Sequence, residues 1–381
     1  ISANLNKKDS IRYNFLIQNI MHILQILPML NEGGVERGTL DVNRELVKKG
    51  IQSTVISNGG KHKNIITTDQ GNYIELNSSS KNIFSFYFRS KQLSKVFCAL
   101  KPDIIHYRSR VPAWLSYYAN KNHNIPLVST VHGFNSVNKY SEIMIKSDLI
   151  IYGSSSILNH IIKNYNVDES KLRYIPRGID TGYFSENNVN HNFIKKFKNE
   201  NNLNDVKIIS SIGRITEWKG HDQFIEAISQ LQKRNFNVVG LIIGGVWSKK
   251  DKYYNYLKNL VKEKNANIKF IGSVENISDF YSLSDLVVSA SSVKAETFGR
   301  TIAESLSMNT PVIASAHGGA LDIIINKENG LIFEPNNLED LISKIEEALI
   351  IDFKNMSNHI NLNFGLETMI SKLISVYKEL M

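Results

Sequence analysis

The stretch from residue 284 to residue 314 reads SDLVVSASSVKAETFGRTIAESLSMNTPVIA and combines strand and helix patterns in one unit. Its first residues, up to Ala290, form a short run with strand composition, and a second such run begins at Pro311. Between them, apolar residues recur at helical spacing from Thr301 to Met308. A strand, a helix and a second strand in this order are typical of a βαβ unit, and therefore of a parallel sheet.

The same alternation of strand and helix patterns runs along the rest of the chain in two consecutive series. The second series begins after Tyr183. The predicted strands are His22–Leu27, Ser53–Ser57, Asp103–Tyr107, Pro126–Val131 and Asp148–Tyr152, then Val206–Ile212, Val238–Ile243, Asn267–Ile271, Leu286–Ala290 and Pro311–Ala314. We therefore expect an α/β protein with two Rossmann-like, doubly wound domains.

A stretch rich in Asn and Lys, residues 182–205, interrupts the apolar periodicity and marks the boundary between the two series. We predict an N-terminal extension (1–20), an N-terminal Rossmann-like domain (21–185), a C-terminal Rossmann-like domain (186–355) and a C-terminal helix (356–381) that packs back on the N-terminal domain. The extension is rich in Asn, Lys and Ser, and Met21 is an alternative start.

Composition narrows the class of protein. Cys98 is the only cysteine, which excludes a disulfide framework and a cysteine-based zinc site and favours a reducing compartment. No apolar stretch reaches the roughly 18 residues that a membrane-spanning helix needs. We therefore expect a cytoplasmic protein, either soluble or peripheral on the inner face of the cytoplasmic membrane.

Positive charge is concentrated in the first half of the chain. Residues 1–190 contain 23 Lys and Arg against 14 Asp and Glu, whereas the remainder contains 22 of each. Within 81–110, Lys81, Arg89, Lys91, Lys95, Lys101, Arg108 and Arg110 mix with Phe84, Phe86, Tyr87, Phe88 and Phe97. This segment is either an ordinary amphipathic helix that covers a sheet or a surface for an anionic membrane. No nucleic-acid-binding motif accompanies the charge, so we expect no nucleic-acid partner.

Open parallel sheets bind ligands beyond the carboxyl ends of their strands, so the loops at these ends are the candidate site. After the first strand, Gly33 and Gly34 form a turn into a helix, where exposed amides suit a phosphate, although such turns are also common as structural elements. After Val131 comes His132-Gly133-Phe134. A lone His is more often structural than catalytic, but its position at a strand end favours a function.

The corresponding loops of the second domain carry charged residues. Gly213, Arg214 and Lys219 follow its first strand, and the two cations could hold a diphosphate without a metal or form a solvated turn. Further on, Glu296 lies in a loop and Glu304 inside a helix. Between these carboxylates, Phe298, Gly299 and Arg300 mark the helix start, where backbone amides have no intrahelical partner. This arrangement suits a polyhydroxylated, phosphorylated ligand.

These motifs together resemble glycosyltransferase family 4, the group 1 enzymes of bacterial envelope polysaccharide type. They are Gly33-Gly34-Val35-Glu36, His132-Gly133-Phe134, Arg177-Gly178-Ile179-Asp180, Gly213-Arg214 with Lys219-Gly220, and the segment from Glu296 to Glu304. The match runs from about Met21 to the C-terminus. The resemblance implies the GT-B fold, in which an acceptor-binding and a nucleotide-sugar-binding Rossmann-like domain face a cleft.

The resemblance also implies a retaining transfer of a sugar from a nucleotide-diphosphate sugar to an acceptor hydroxyl. Its implied catalytic residues are His132, Arg214, Lys219 and Glu296. The implied substrate-binding residues are Gly33, Gly34, Gly133, Phe134, Gly213, Gly272, Ser273, Val274, Phe298, Gly299, Arg300, Thr301 and Glu304. Arg214 and Lys219 would neutralise the diphosphate, and Glu304 would accept hydrogen bonds from the ribose. No cofactor or metal is expected, because no Asp-x-Asp element accompanies the sugar site.

The expected partners are the nucleotide-sugar donor and a saccharide or lipid-linked acceptor. Two departures from the family pattern, Arg177 and Asp322, lie outside the proposed chemistry, whereas Arg300 adds a cation beside the sugar site. A glycosidase would also use two carboxylates, but it would leave the Arg and Lys turn without a role. The same motifs are also compatible with a sugar-nucleotide-binding protein without turnover and with a GT-B phosphorylase or epimerase.

Overall fold

The structure, a computed structural model, describes residues 20–246, 252–291, 293 and 295–381. Of the predicted N-terminal extension, residues 1–19 lie outside the described residues. Contacts between residues divide the chain into two units. Among the described residues, the first unit comprises residues 20–152, 161–174 and 370–381, and the second unit comprises those within 153–160 and 175–369.

The first unit is built on a sheet of seven parallel strands in the order β3-β2-β1-β4-β5-β6-β7. The strands are β1 His22–Ile26, β2 Gln52–Ser57, β3 Asn72–Glu75, β4 Ile104–Tyr107, β5 Leu127–Val131, β6 Leu149–Tyr152 and β7 Leu172–Tyr174. The helices are α1 Gly34–Lys48, α2 Lys63–Thr68, α3 Phe86–Leu100 and α4 Arg110–Ala119, followed by α5 Ser155–Asn164, which begins in the second unit. Short 3-10 helices span Asn120–Asn122, Ser141–Ile145 and Glu169–Lys171.

The second unit is built on a sheet of six parallel strands in the order β10-β9-β8-β11-β12-β13. The strands are β8 Lys207–Ile212, β9 Val238–Ile243, β10 Ile268–Gly272, β11 Leu286–Ser289, β12 Val312–Ser315 and β13 Gly330–Phe333. The helices are α6 His191–Glu200, α7 His221–Lys233, α8 Lys252–Lys264, α9 Ile277–Leu283, α10 Arg300–Ser307, α11 Ala320–Ile323, α12 Leu338–Ala348 and α13 Met356–Phe364, followed by α14 Leu366–Lys378, which begins in the second unit and continues in the first. Two 3-10 helices span Glu186–Asn188 and Glu217–Lys219.

The second sheet has an apolar core on each of its faces. Neighbouring residues of β8 point to opposite faces, so that Ile208 belongs to one buried cluster and Ile209 to the other. The same split separates Leu241 from Ile242 in β9. Strands that are buried on both faces need apolar residues at consecutive positions, which explains the uninterrupted apolar runs in the sequence. The predicted doubly wound α/β architecture is confirmed.

All ten predicted strands are present, with ends shifted by one residue at most. The three strands that the sequence analysis missed are β3, β7 and β13, and each of them forms the edge of a sheet. They contain four, three and four residues. Runs this short are below the usual strand length, and β3 and β7 are only half-buried or exposed, so their apolar pattern is weak.

The C-terminal segment differs from the single helix that the pattern predicts. The structure has two helices, α13 and α14, separated at Gly365, where the backbone is extended. The amide of Ile179 donates to the Phe364 carbonyl at 2.9 Å, and the amide of Leu366 donates to the Ile179 carbonyl at 2.8 Å. These bonds to a third segment replace the helical ladder at the break. The prediction of one helix is therefore wrong, because Gly365 ends a helix here.

The end of α14 belongs to the first unit. Tyr377 is fully buried there, and its hydroxyl lies 2.7 Å from Nδ1 of His106 in β4. Nε2 of the same imidazole lies 2.7 Å from the hydroxyl of Thr130 in β5. Near the terminus, Arg173 of β7 pairs with Glu379 at 2.6 Å. In the described part of the chain, no helix is long and apolar enough to cross a bilayer.

Candidate active site

The strand order of the second unit creates a ligand-binding position between β8 and β11. These strands are neighbours in the sheet, although two strands and three helices separate them in sequence. Helices leave their loops on opposite sides of such a position, so a crevice opens at the carboxyl ends of the two strands. The loop after β8 carries Arg214 and Lys219, and the loop after β11 carries Glu296.

An ion pair joins these two loops. Nζ of Lys219 lies 2.5 Å from Oε1 of Glu296, and their side chains are 14% and 13% exposed. The hydroxyl of Ser291 donates to the same carboxylate oxygen at 3.0 Å. The ammonium also lies 4.7 Å from the centre of the Trp218 ring. The structure therefore brings together two predicted site residues that are far apart in sequence, and it restricts the position of both.

Gly220 allows the two loops to approach each other. It has a left-handed conformation with φ of 68°, and a Cβ atom there would lie 1.8 Å from the carbonyl oxygen of Ala290. Gly213, at the start of the same turn, also has a positive φ, of 149°. A side chain at Gly220 would force the turn away from β11, since a carbonyl oxygen cannot yield as a flexible side chain can. Lys219 precedes this contact directly and is therefore placed by it.

A buried histidine supports Arg214. Nε2 of His221 donates to the Arg214 carbonyl at 3.3 Å, and Nδ1 accepts from the Ser211 hydroxyl at 3.0 Å. Burial lowers the pKa of His221 to about 4, so the imidazole is neutral near pH 7. The guanidinium of Arg214 is exposed and, within the described residues, makes no hydrogen bond or ion pair. It is therefore available to an anion.

Glu304 is held by two donors in α10 and α9. It is 7% exposed, and its Oε1 accepts from Nε of Arg300 at 2.6 Å. The hydroxyl of Tyr281 donates to Oε2 at 2.8 Å. Burial, with a further contribution from Glu304, raises the pKa of Tyr281 well above its usual range, which keeps the phenol protonated as a donor. Helix α10 begins after Gly299, which has φ of 92°, so the predicted helix start is confirmed.

The loop of Glu296 rests on Gly318 and Gly319, which follow β12. The amide of Gly319 donates to the Glu296 carbonyl at 2.8 Å. A Cβ atom on Gly318 would lie 2.1 Å from the same carbonyl oxygen, and one on Gly319 would lie 2.1 Å from the Phe298 carbonyl oxygen. Nε2 of His317 donates to the Ser291 carbonyl at 2.7 Å. The loop after β12 thus fixes the backbone on both sides of Glu296.

The remaining predicted residues of the second unit occupy the same edge of the sheet with different surroundings. Phe298 is buried and packs against Phe364, so its side chain belongs to the core and only its backbone can meet a ligand. Val274 is half-buried against the same core, whereas Ser273 is exposed. Gly272 is the last residue of β10, Gly299 directly precedes α10, and Thr301 is the second residue of that helix. Their contacts with a substrate stay predictions.

The predicted residues of the first unit lie at the carboxyl-end edge of its sheet. Gly33 precedes α1, and Gly34 is its first residue. The φ of Gly33, 164°, is extended, and a Cβ there would meet only the carboxylate end of Glu36, so this position does not demand glycine. His132, Gly133 and Phe134 directly follow β5, and the phenyl ring of Phe134 is exposed. The roles of all five residues stay predictions.

Sequence reasoning missed four residues that support the site: Tyr281, Ser291, His221 and His317. Tyr281 and His317 contact residues of separate elements, His221 contacts the strand and turn before its helix, and Ser291 contacts Glu296 within one loop. No local motif indicates these contacts. In contrast, the sequence itself shows that Trp218 is next to Lys219, whose ammonium its ring contacts. Among the described residues, no three His, Cys, Asp or Glu side chains lie close enough to hold a metal ion.

Two family models match the chain. The model described as "Glycosyltransferase Family 4" matches residues 32–183, and the model described as "Glycosyl transferases group 1" matches residues 192–361. Among curated proteins, a capsular polysaccharide biosynthesis glycosyltransferase, CapM of Staphylococcus aureus, is 27% identical over 201 residues. That match spans about half of each protein, 52% of this chain and 52% of CapM.

Solved structures match over nearly the whole chain. The crystal structure of a glycosyltransferase from Rickettsia africae is 33% identical, with a TM-score of 0.87, and the match covers 95% of this chain and 99% of that one. Anabaena HepE, crystallised with UDP and glucose, is 18% identical with a TM-score of 0.78 and coverages of 94% and 99%. The second likeness concerns the fold alone. Both family models, the Rickettsia enzyme and the two doubly wound sheets agree, and the chain belongs to the group 1 glycosyltransferases of family 4, with the GT-B fold.

Proposed function

We propose that this protein moves a sugar from a nucleoside diphosphate sugar to an acceptor hydroxyl, with retention of configuration and without a metal ion. The observation that carries the proposal is the ion pair of Lys219 and Glu296 at the carboxyl ends of β8 and β11. It places a cation and a carboxylate side by side where an open parallel sheet binds its ligand. The ammonium can donate to a phosphate, and the carboxylate can accept from a sugar hydroxyl.

The two cations would stabilise the leaving diphosphate. An ammonium has three donors, so Lys219 can keep its bond to Glu296 and still donate to phosphate oxygens. The exposed guanidinium of Arg214 supplies a planar fork for the same anion. Negative charge grows on the leaving oxygen as the bond to the sugar breaks, and fixed cations stabilise this charge in the transition state.

Glu304 would hold the ribose of the donor. Arg300 and Tyr281 each occupy one lone-pair direction of its carboxylate. An ionised carboxylate can accept several hydrogen bonds at once, so Glu304 can accept from ribose hydroxyls while it keeps these two donors. Because the donors lie in α10 and α9, they also fix the orientation of the carboxylate.

Glu296 and the amides near Phe298 and Gly299 would hold the hydroxyls of the donor sugar, and His132 stays the candidate catalytic residue of the first unit. In the proposed step, the bond from the sugar carbon to the phosphate oxygen breaks. The acceptor oxygen bonds to the same face of that carbon, and its proton passes to the leaving phosphate. No enzyme carboxylate needs to become covalently attached.

The relatives suggest where to look for substrates. Anabaena HepE was crystallised with UDP and with UDP-glucose, which makes UDP-sugars the first donors to test. CapM is named for capsular polysaccharide biosynthesis, and this favours a saccharide or lipid-linked acceptor of the cell envelope. The proposed location is cytoplasmic, with an anionic membrane surface as a further partner of the segment 81–110.

The test begins with binding and ends with turnover. Nucleotide sugars are screened by thermal shift, since a ligand that binds the native state raises its apparent stability. Slow hydrolysis of the best donor is then measured without an acceptor, in the wild type and in Glu304→Ala. We expect the variant to bind the donor about 10-fold to 100-fold more weakly, because charge-assisted bonds to the ribose are lost.

Three outcomes would redirect the proposal. Binding without any donor hydrolysis or transfer would identify a sugar-nucleotide-binding protein. Formation of a sugar phosphate, or an inverted sugar centre on the nucleotide, would identify a phosphorylase or an epimerase. Equal donor affinity of the wild type and Glu304→Ala would remove the assigned ribose contact.

A further inference from the structure

The first unit has an apolar pocket that the proposed transfer does not use. Its volume is about 650 Å³, and it lies between the loop 80–83 and the helices α3 and α4. The wall includes Ile83, Phe86, Trp114, Tyr118 and Tyr140. Pockets of this volume are large enough for a small-molecule ligand or part of a larger one. The pocket therefore needs an occupant with a chemistry that suits its wall.

Two strong donors beside the pocket are already used within the protein. The indole N–H of Trp114 donates to the Tyr140 carbonyl at 3.0 Å. The guanidinium of Arg89 donates to the carbonyls of Asn77, Asn82 and Ser85 at 3.1, 2.9 and 3.3 Å. A hydroxylated ligand would find neither donor available. The wall instead offers aromatic and aliphatic surface, which favours a hydrocarbon chain.

These bonds correct one part of the sequence analysis. Arg89 is only 6% exposed, and burial lowers its pKa from the usual range, so it is a structural clamp of the loop 77–85. Arg108 is likewise buried, with its guanidinium 2.6 Å from Oε1 of Gln25. Helix α3 buries Leu93 and Phe97 and packs against α4, as an ordinary amphipathic helix does. The charge of the surface comes from the exposed lysines.

The rim of the pocket exposes large apolar side chains to an unusual extent. Ile83 is 83% exposed, Phe84 92%, Tyr87 67% and Phe88 72%. Lys81 precedes them in sequence, Lys91 and Lys95 follow them, and all three lysines are exposed. An exposed apolar cluster of this kind is characteristic of an interaction site, and aromatic residues mixed with lysine are typical of the membrane interface.

The net positive charge of residues 76–140 indicates what kind of partner the rim binds. Residues 76–140 contain nine Lys and Arg and a single acidic residue, Asp103. Asp103 lies away from the rim, where its carboxylate accepts from the amide of His22 at 2.7 Å. A segment with so few acidic groups attracts anions, and an anionic lipid combines that charge with hydrocarbon chains.

We propose that the pocket and its rim form a docking surface for an anionic lipid bilayer. Ile83 and Phe84 enter the hydrocarbon layer, Lys81, Lys91 and Lys95 bind lipid phosphates, and one lipid chain fills the pocket beside Trp114. This proposal does not rest on glycosyl transfer, because lipid binding needs no sugar nucleotide.

The first experiment measures binding of the full chain to phosphatidylcholine vesicles with and without phosphatidylglycerol, at low and high salt. We expect binding to need the anionic lipid and to weaken with salt. Charge reversal in Lys81→Glu, Lys91→Glu, Lys95→Glu should reduce binding at least about 100-fold. The matched control, Lys195→Glu, Lys196→Glu, Lys233→Glu, has the same net charge and alters exposed lysines of the second unit. It should retain most of the binding.

The second experiment separates insertion from adsorption to charge. Ile83→Ser with Phe84→Ser should weaken binding, whereas Ile65→Ser with Ile162→Ser, at exposed positions outside the rim, should not. Lipids brominated on their chains should quench tryptophan fluorescence in the wild type, and Trp114→Phe should lose most of this quenching.

Equal loss of binding in the two charge triples, or unchanged binding in the rim variant, would overturn the docking surface. Quenching that persists in Trp114→Phe would remove the hydrocarbon chain from the pocket. Absence of vesicle binding at low salt would exclude a bilayer and leave a protein as the partner of the rim.

Discussion

The carboxyl-end edges of the two sheets carry different residues, although the two units have similar folds. In the second unit, this edge carries the ion pairs Lys219–Glu296 and Arg300–Glu304, each at a distance of 2.6 Å or less. In the first unit, the predicted residues of the corresponding loops are glycines, His132 and Phe134. The exposed lysines Lys81, Lys91 and Lys95 of the first unit lie elsewhere, on the rim of the pocket near α3.

This difference separates two uses of charge. The second unit fixes individual charges with partners from neighbouring strands and helices, as required to hold a small anion in one orientation. The rim of the first unit leaves its lysines exposed, as required to attract an extended anionic surface that has no fixed geometry. Two doubly wound sheets therefore support different kinds of recognition, since the fold positions loops without determining their chemistry.

The sharpest test of this comparison removes one fixed cation. We expect Lys219→Ala to lower kcat/KM for the donor about 100-fold to 1,000-fold, because charge on the leaving diphosphate loses a stabilising partner. The matched control is Lys207→Ala, which removes an ion pair with Asp285 at the amino end of β8, the strand that precedes the turn of Lys219. Steady-state transfer rates check both variants. A similar loss in both would show that the position beside Glu296 has no special role.

The next test addresses the backbone that places Lys219. Gly220→Ala should destabilise the second unit by about 4 kcal/mol, because the turn combines a positive φ with a close carbonyl contact. Gly38→Ala in α1 is the control from the first unit, since a Cβ there meets no atom within 4 Å. It should stabilise the helix by about 0.5 to 1 kcal/mol. Denaturant titrations of both variants measure the difference, and equal stabilities would contradict the steric argument.

Acid should lower the stability of both units. Burial lowers the pKa of His221 to about 4, and the pKa of His106 lies well below its usual value because of burial and the nearby Arg108. In the unfolded chain, each of these imidazoles binds a proton near pH 6.5, whereas in the folded protein it stays neutral to a lower pH. The folded state is therefore fully stabilised above pH 6.5 and loses this stabilisation as the pH falls toward 4. For His221 the loss amounts to roughly 3 kcal/mol.

Hydrogen exchange of amides in β8 and β4, followed from pH 7 to pH 4 and corrected for intrinsic rates, reports this loss for each unit. The variant His221→Gln should flatten the pH dependence in β8 and leave that in β4 unchanged. A β8 profile that keeps its full slope in the variant would mean that another group titrates there.

The smallest predicted effect concerns the two buried tyrosines. Tyr281→Phe removes one donor from Glu304 and should weaken donor binding about 10-fold, because the carboxylate loses part of its orientation. Tyr377→Phe removes the hydroxyl beside His106 in the first unit and should leave donor affinity unchanged. Calorimetric titration with the donor checks both. If the two variants bind the donor equally well, the contact with Glu304 does not position that residue.

Much of this architecture could be predicted from local pattern, and the reasons differ from element to element. The central strands are apolar at consecutive positions, so their signal survives without tertiary information. The edge strands β3, β7 and β13 lack this signal, since they are short and, in two cases, poorly buried. The break at Gly365 depends on bonds to Ile179, which lies far away in the sequence.

The residues of the candidate site could likewise be predicted only in part. The motif positions of Lys219, Glu296 and Glu304 were visible because they follow strand ends or a helix start. The partners that hold them were not visible: the contact of Tyr281 arises only when two helices pack together, and that of Ser291 depends on the irregular fold of the loop after β11. The structural role of Arg89 was hidden for the same reason, since its carbonyl partners lie in an irregular loop.

The return of α14 to the first unit has a consequence for how the protein is made. The first unit includes residues 370–381, whereas every residue of the second unit precedes residue 370. During synthesis, the second unit therefore has its complete sequence before the first unit does, and His106 has no Tyr377 to contact until every residue of the second unit has been made.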